Sequence, residues 1–316
     1  MRIQLGKVVS MIDAVITWVD GADPAHRARR DRFADGSVHA DAKSQTRFFS
    51  SGEVRFAVLS LLHFCPFVRH IHVVTDEQYP DILRSVLEDQ EKVRIVDHRD
   101  VFGEHADLLP VFSSRSIETM IHRIPGLAEH FLYLNDDIFV GRPMRPEDYF
   151  DGDVPILRAA LRRFPNPMLQ WLKSRLRRDR PGYAAAQRDA ARLTGRTDTY
   201  LLAEHQPHPM RRSTLATYYA GDPAPIRAQA GHRFRSAAQV SPIGLSNHLE
   251  MAAGARMEPP HDVGYVRPGR PTGASLVEMM DRLNDNAFAS FCVQSFDQMS
   301  DTDRAVILEG LKQRYG

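Results

Sequence analysis

Asp136 and Asp137 stand side by side after an apolar run, Phe131-Leu132-Tyr133-Leu134, and a single Asn135; the chain turns apolar again at Ile138-Phe139-Val140. Neighbouring carboxylates repel each other, so ionising both is costly unless a cation is shared. Hard oxygen ligands of this kind suit Mg²⁺ or Mn²⁺ bridging to a diphosphate. The same residues also make an ordinary polar turn, because Asn and Asp side chains satisfy turn backbone. Position separates the two readings. A short apolar run reads as a buried strand, and open α/β sheets bind ligands beyond the carboxyl ends of their strands.

The elements upstream repeat this arrangement. Residues 12–19, rich in β-branched and aromatic side chains, predict a first strand that runs into Asp20-Gly21-Ala22-Asp23-Pro24. Residues 70–75 predict a second strand closed by Asp76, and 93–96 a third closed by Asp97. Helices are predicted between them. One begins at Ser51-Gly52-Glu53, with Val54, Val58, Leu61 and Leu62 on its apolar face, and Pro66 stops it. Residues 79–87 and 113–123 predict two more. Strands alternating with helices imply a mainly parallel sheet with helices on both faces. Three strands then end directly at an Asp and the fourth does so after Asn135, which gathers carboxylates on one sheet edge and favours a metal–nucleotide site there.

Composition bounds the function. A chain of 316 residues with 43% hydrophobic and 26% charged residues has the make-up of a globular protein. A formal charge of +1 gives no global case for nucleic-acid binding. Cys65 and Cys292 lie in apolar surroundings and read as reduced core residues. Residues 1–10 do not read as a secretory signal, and the longest apolar stretch, residues 57–67, is too short to span a bilayer. A cytoplasmic location is expected.

Beyond Tyr149 the character changes. Residues 158–196 hold 11 Lys and Arg against Asp179 and Asp189 alone. Such a run fits a solvated helical face, or a docking surface for an anionic polymer, a lipid-linked acceptor or the inner face of the plasma membrane. Residues 25–50 are polar and expected to be mobile, and residues 220–271 are expected to be irregular because Pro and Gly are frequent. Residues 275–284 are amphipathic and helical, and Ser300-Asp301-Thr302-Asp303 caps a last helix reaching Tyr315. The division expected is a nucleotide-sugar-binding α/β part over 1–157, a basic helical insertion over 158–200, and a part over 201–316 that completes the same active site.

Several segments together resemble the Stealth family of sugar-phosphate transferases. Residues 12–24 resemble its first block. Glu53-Val54-Arg55, residues 68–76, Val96-Asp97-His98, Ile117-Glu118, residues 121–127 and 130–137 resemble its second. His205-Gln206-Pro207-His208 with His232-Arg233-Phe234-Arg235 resembles the third, and Leu283-Asn284-Asp285-Asn286 the fourth. Four blocks in order are more specific than any one of them. Two departures occur: Ser51 precedes Gly52 where aspartate or asparagine is usual, and Arg212 stands where lysine is frequent.

The resemblance implies a glycosyltransferase-A-like fold with a helical insertion. It implies transfer of a hexose-1-phosphate from a nucleotide-diphosphate sugar, UDP-linked by preference, to a hydroxyl of a glycan or lipid-linked glycan. The phosphoanhydride breaks, nucleoside monophosphate leaves and a phosphodiester forms, in capsular or exopolysaccharide synthesis. Mg²⁺ or Mn²⁺ would be held by Asp136 and Asp137, joined by Asn284 and Asp285. His205 would be the general base, suited by an ordinary imidazole pKa of about 6.5, with His208 the competitor for that role. Arg235 would pair bidentately with phosphoryl oxygens. Trp18, Asp20, Glu53, Arg55, Arg123 and His208 would contact substrate. A glycosyltransferase releasing UDP and a non-catalytic carbohydrate-binding protein remain the alternatives. Glu118, His122 and Arg123 also have the spacing of a structural salt bridge on one helical face. The two histidines fit no zinc-protease spacing.

Overall fold

The computed structural model describes residues 11–34, 52–166, 168 and 182–316. β1 (Ile12–Thr17) leads to α1 (Pro24–Phe33), whose first turn is capped by Asp23 Oδ1 accepting from the backbone N–H groups of Ala25 at 2.7 Å and His26 at 2.9 Å. A capped helix with Pro at its first position therefore replaces the mobile start expected after residue 25. Residues 35–50, the remainder of that expectation, lie outside the described residues, as does Ser51 of the expected helix start. α2 (Glu53–Phe64), β2 (Val68–Thr75), α3 (Arg84–Asp89), β3 (Val93–Asp97), the short α4 (His98–Phe102), α5 (Ser114–Met120) and β4 (His130–Asn135) follow.

β5 (Ile138–Val140) comes two residues after β4, and the β6 (Phe150–Asp151) and β7 (Val154–Pro155) hairpin follows. The segment expected to be a helical insertion begins and ends as antiparallel strands, β8 (Leu157–Arg163) and β9 (Thr199–Ala203), with α6 (Tyr183–Leu193) between them. Much of the charge run, residues 167 and 169–181, lies outside the described residues. β10 (His208–Arg211), α7 (Arg212–Tyr218), α8 (Pro223–Ala230), α9 (Pro242–Ala252), β11 (Met257–Glu258), β12 (Val263–Val266), α10 (Ala274–Asn284), β13 (Ser290–Val293) and α11 (Asp301–Tyr315) complete the chain. Helices α8 and α9 overturn the irregular reading of 220–271. Each opens with Pro at a position where a missing N–H costs nothing, so these prolines start helices rather than break them.

The principal sheet has the order β10-β4-β1-β2-β3, with β10 antiparallel and the other four parallel. Alternation divides its side chains. Ala14, Ile16, Ile71, Val73, Leu132 and Leu134 face α2, α10 and α11, whereas Val15, Val74, Phe131 and Tyr133 face α5, α8 and α9. This is an α/β fold with both sheet faces covered. A second sheet, β12-β13-β5, abuts it. Asp136 and Asp137 are the two-residue joint at which the chain leaves one sheet and enters the other. Two strands from the last third of the chain finish these sheets: β10 pairs with β4, and β13 pairs with β5.

Candidate active site

The carboxylates at the parallel-strand ends have different fates. Asp20 accepts from the Ala22 N–H at 2.8 Å, and its own backbone is held by the Gln78 amide. Asp76 accepts from Arg29 Nη2 at 3.0 Å and lies 3.6 Å from His26 Nε2 and 3.8 Å from His98 Nδ1. Asp97 accepts from the backbone N–H groups of Glu77 and Arg99 at 2.7 and 2.9 Å. These three hold loops and helix starts in place. The fourth end is different. Asp137 Oδ1 is buried and has no hydrogen-bond partner among the described residues.

Glu53 sits at the first position of α2, brought there by Gly52, whose φ of +91° is a backbone state that favours glycine. α2 then runs beside β5, since Ser60 Oγ accepts from the Val140 N–H at 3.0 Å. Burial pushes the Asp137 carboxyl up to about 7, with the Glu53 charge adding to the effect; nearby backbone and the Cys292 thiol pull the other way. Burial, then Asp137, then Glu53 raise Asp136 well above the usual carboxylate range. Both residues keep partial exposure, so the trio opens onto solvent. Three crowded carboxylates with an orphaned oxygen form the donor set a divalent cation neutralises.

A second acidic–imidazole group, Asp13 with His70 and His72, lies at the opposite end of the parallel strands. It does not fit a metal. Asp13 already accepts from Arg69 Nε at 2.9 Å, Arg69 Nη2 at 2.7 Å, Ala128 N–H at 2.8 Å and His70 N–H at 3.2 Å. Its pKa is held below the ordinary range by His72, Arg69 and Ala128 against the opposing effect of burial. A fixed guanidinium occupies the ground a cation would take.

His205 lies in the link between β9 and β10. Its ring stacks on two others, Tyr183 at 5.7 Å and 16° and Tyr265 at 5.0 Å and 14°. Tyr265 is paired in register with Cys292, and β13 lies against Asp137, whose carbonyl accepts from the Val293 N–H at 3.0 Å. Imidazole and carboxylates, 68 residues apart in sequence, are thus brought to one region by Tyr265 and β13. Burial lowers the pKa of His205. His208 is 7% exposed on β10 opposite Tyr133 and is lowered to about 4 by burial and then by His205. Of the two, His205 keeps the partial exposure that a base meeting substrate needs.

The other wall is polar. Tyr133 hydroxyl lies 2.9 Å from Asn135 Oδ1, 3.0 Å from Thr17 Oγ1 and 3.3 Å from Glu118 Oε1. Arg235 donates to Ser114 Oγ at 2.6 Å, one helical turn before Glu118 on α5. Asn135, Asp136, Asp137 and Glu53 therefore come together, with His205 on the far side of Tyr265 and Arg235 bonded to the adjoining helix start.

Five expected site residues do not join them as expected. Trp18 is packed in the core on the α2 side of the sheet. Arg55 donates to Ser85 Oγ on α3. Arg123 pairs with Glu104 Oε1 at 2.7 Å, so it neither reaches the site nor bridges to Glu118 within its own helix. Asn284 and Asp285 lie beyond the other end of β5. The Asn284 carbonyl and the Gly141 carbonyl share the guanidinium of Arg314, and Gly141 is four extended residues, on the order of 13 Å, past Asp137. The late Asn-Asp pair ends α10 against α11 instead of holding a cation with Asp137. Asp20 keeps its place at the strand end, with its carboxylate used by its own turn. Glu118, marked in the sequence by the second block and by its helical spacing, joins the polar wall through Tyr133. Conversely, Tyr133, Tyr183, Tyr265 and Cys292 belong to the site without a sequence signal of their own. Each reads as an ordinary core residue, and only the strand pairings reveal the neighbours.

Residues 12–38 match Stealth protein conserved region 1, and residues 47–156 match conserved region 2. An exopolysaccharide phosphotransferase of Streptomyces coelicolor is 35% identical over 92% of this chain and 53% of its own length. A capsular polysaccharide phosphotransferase of Actinobacillus pleuropneumoniae is 38% identical over 45% of this chain and 39% of its own. The chain thus spans about half or less of the length of these curated relatives. Among solved structures, a galactosyltransferase complexed with donor and acceptor sugar analogues aligns over 96% of both chains at 12% identity and a TM-score of 0.45. The chain thus carries the first two conserved regions of Stealth proteins, lying across the strands and helices that gather Glu53, Glu118, Asp136 and Asp137.

Proposed function

We propose that this chain transfers a hexose-1-phosphate from a nucleotide-diphosphate sugar, UDP-linked by preference, to a glycan hydroxyl in capsular or exopolysaccharide synthesis. The observation that carries the reading is the placing of the Glu53–Asp136–Asp137 trio and the His205 imidazole on either side of Tyr265. The curated relatives named as phosphotransferases support it. Simple sugar binding needs neither a crowded anionic trio nor a base.

Phosphoryl transfer asks for positioning and charge neutralisation more than covalent help. Asp136, Asp137 and Glu53 would hold Mg²⁺ or Mn²⁺. Such an ion supplies neutralisation of the diphosphate charge when bound. His205 takes the proton from the acceptor hydroxyl as its oxygen bonds to phosphorus. The anhydride bond breaks, and nucleoside monophosphate carries away the bonding pair. Burial lowers the pKa of His205, so the imidazole is neutral and able to accept a proton at neutral pH. Arg235 offers a planar pair of N–H donors to phosphoryl oxygens. Tyr133, neutral because burial raises its pKa well above the ordinary value, fixes Asn135 beside the carboxylates.

The basic segment 158–196 is proposed as the acceptor-side surface, with peripheral contact to the inner face of the plasma membrane included. No helix among the described residues is long and apolar enough to cross a membrane. The test is to incubate the protein with Mg²⁺, UDP-sugars and short glycan acceptors and to identify the released nucleotide. Acceptor-dependent UMP, abolished by chelator, supports the reading. UDP would instead mean cleavage of the sugar–oxygen bond and overturn it.

A further inference from the structure

We propose that Tyr183 and Tyr265 form a clamp that fixes the His205 imidazole by stacking and stabilises its protonated form. This rests on His205 being the proton acceptor. Both rings lie within 6 Å of the imidazole centroid and within 16° of parallel. That geometry presents two electron-rich faces to a ring that becomes cationic when it accepts a proton. Each tyrosine is itself fixed. Tyr183 hydroxyl donates to the Ala203 carbonyl at 3.0 Å, two residues before His205, and Tyr265 hydroxyl is hydrogen-bonded to Gln294. Ser290 Oγ donates to the His205 carbonyl at 3.1 Å, so the backbone is held as well as the ring.

The clamp joins three parts of the chain: the start of α6, the β9–β10 link and β12. Gly182, just before Tyr183, is anchored by Arg115 Nη2 at 2.9 Å, on the same helix as Glu118. Burial alone disfavours a charged imidazole. The stacked faces oppose that tendency without introducing a competing acceptor. The titratable and charged neighbours are His208 from β10, Glu204 beside His205 in the chain, Glu118 from α5, Cys292 from β13, and Asp137 and Arg267 beyond Tyr265. The tyrosines are positioning residues, since they act through His205.

The experiment is an NMR titration of the His205 ring protons in the full chain, assigned by their loss in His205→Ala. Tyr183→Leu and Tyr265→Leu are compared with Tyr183→Phe and Tyr265→Phe. Removing a face should lower the His205 titration midpoint by roughly half a pH unit or more, as expected for the loss of one cation–π contact. The phenylalanine variants, which keep a face, should titrate within about 0.2 unit of the unmodified protein. Leucine variants that titrate like the unmodified protein would overturn the clamp, as would phenylalanine variants that shift as far as leucine. Tyr183 is 45% exposed, so Tyr183→Leu keeps the test open should Tyr265→Leu fail to fold. Under turnover, the leucine variants should lose about tenfold in kcat with KM little changed. The titration needs no substrate, so it separates failure of the clamp from failure of the phosphotransfer reading, which His205→Ala with full turnover would expose.

Discussion

Asp13 and Asp137 flank the same pair of strands and teach opposite lessons about a carboxylate in a protein. Asp13, near the start of β1, is fully buried and surrounded by donors: both arms of Arg69, two backbone N–H groups and His72. Its acidity is strengthened and it ties β1, β2 and the turn before β4 together. Asp137, just past the end of β4, has a neighbouring carboxylate, Glu53 close by and an oxygen with no donor among the described residues; burial and Glu53 weaken its acidity. Proteins tolerate such an arrangement where a ligand completes it. One end of the sheet spends its charge on the fold, and the other keeps charge in reserve for a partner.

The largest expected effect comes from breaking the reserved end. Asp137→Asn should cut turnover by at least about a hundredfold, and His205→Ala by a similar factor or more, read as nucleotide release. Asp137→Asn should at the same time raise the melting temperature of metal-free protein, because it removes a repulsive charge. The converse change at the other end, Asp13→Asn, should cost stability instead, about 2–3 kcal/mol by urea denaturation, because Arg69 loses its counter-charge and the amide NH2 that replaces one carboxylate oxygen faces donors instead of accepting from them. Arg69 is partly exposed, which keeps the figure at the lower end.

The pH dependence sharpens the contrast. Asp137 has a folded pKa of about 7 against an ordinary 3.8. The folded state therefore binds more protons between those values, and this group's contribution to stability is lost as pH rises from about 4 to about 7. Asp13 works the other way: its lowered pKa gives stability above pH 3.8 that is lost on acidification below it. Mn²⁺ or Mg²⁺ should thus raise the melting temperature more at pH 8 than at pH 5, and Asp137→Asn should remove the difference. A pH-independent metal effect would place the cation elsewhere. The smallest effects belong to Arg55→Ala and Arg123→Ala. Their partners are a surface serine and a surface glutamate, so turnover should hold and stability should change by less than about 0.5 kcal/mol.

Much of this was legible from the chain. Four parallel strands, the alternation of their side chains and the Asp136–Asp137 joint follow from local hydrophobic patterning, because burial on two sheet faces demands it. The helix cap at Ser300 shows how local the remaining punctuation is, although the chain after Asp23 and the Pro-rich stretch after Ala220 did not read as helical, their prolines standing at helix starts. The aspartates at the strand ends were all visible. Their division into structural and reserved was not, since it depends on whether Arg29, His26 or a backbone N–H arrives from elsewhere. The late Asn284–Asp285 pair fails for the same reason: residue types matched a ligand set, but Arg314 and α11 hold them at the far end of β5.

Sequence alone determined which residues could carry charge, accept a proton or end a strand, because those properties reside in single side chains and short spacings. Tertiary structure decided which of them meet. His205 and Asp137 are brought to one region only because β12 pairs with β13 and β13 with β5, placing Tyr265, which stacks on His205, beside the strand whose Val293 N–H holds the Asp137 carbonyl. Long-range pairing of this kind is set by the register of distant strands, and no local pattern encodes it.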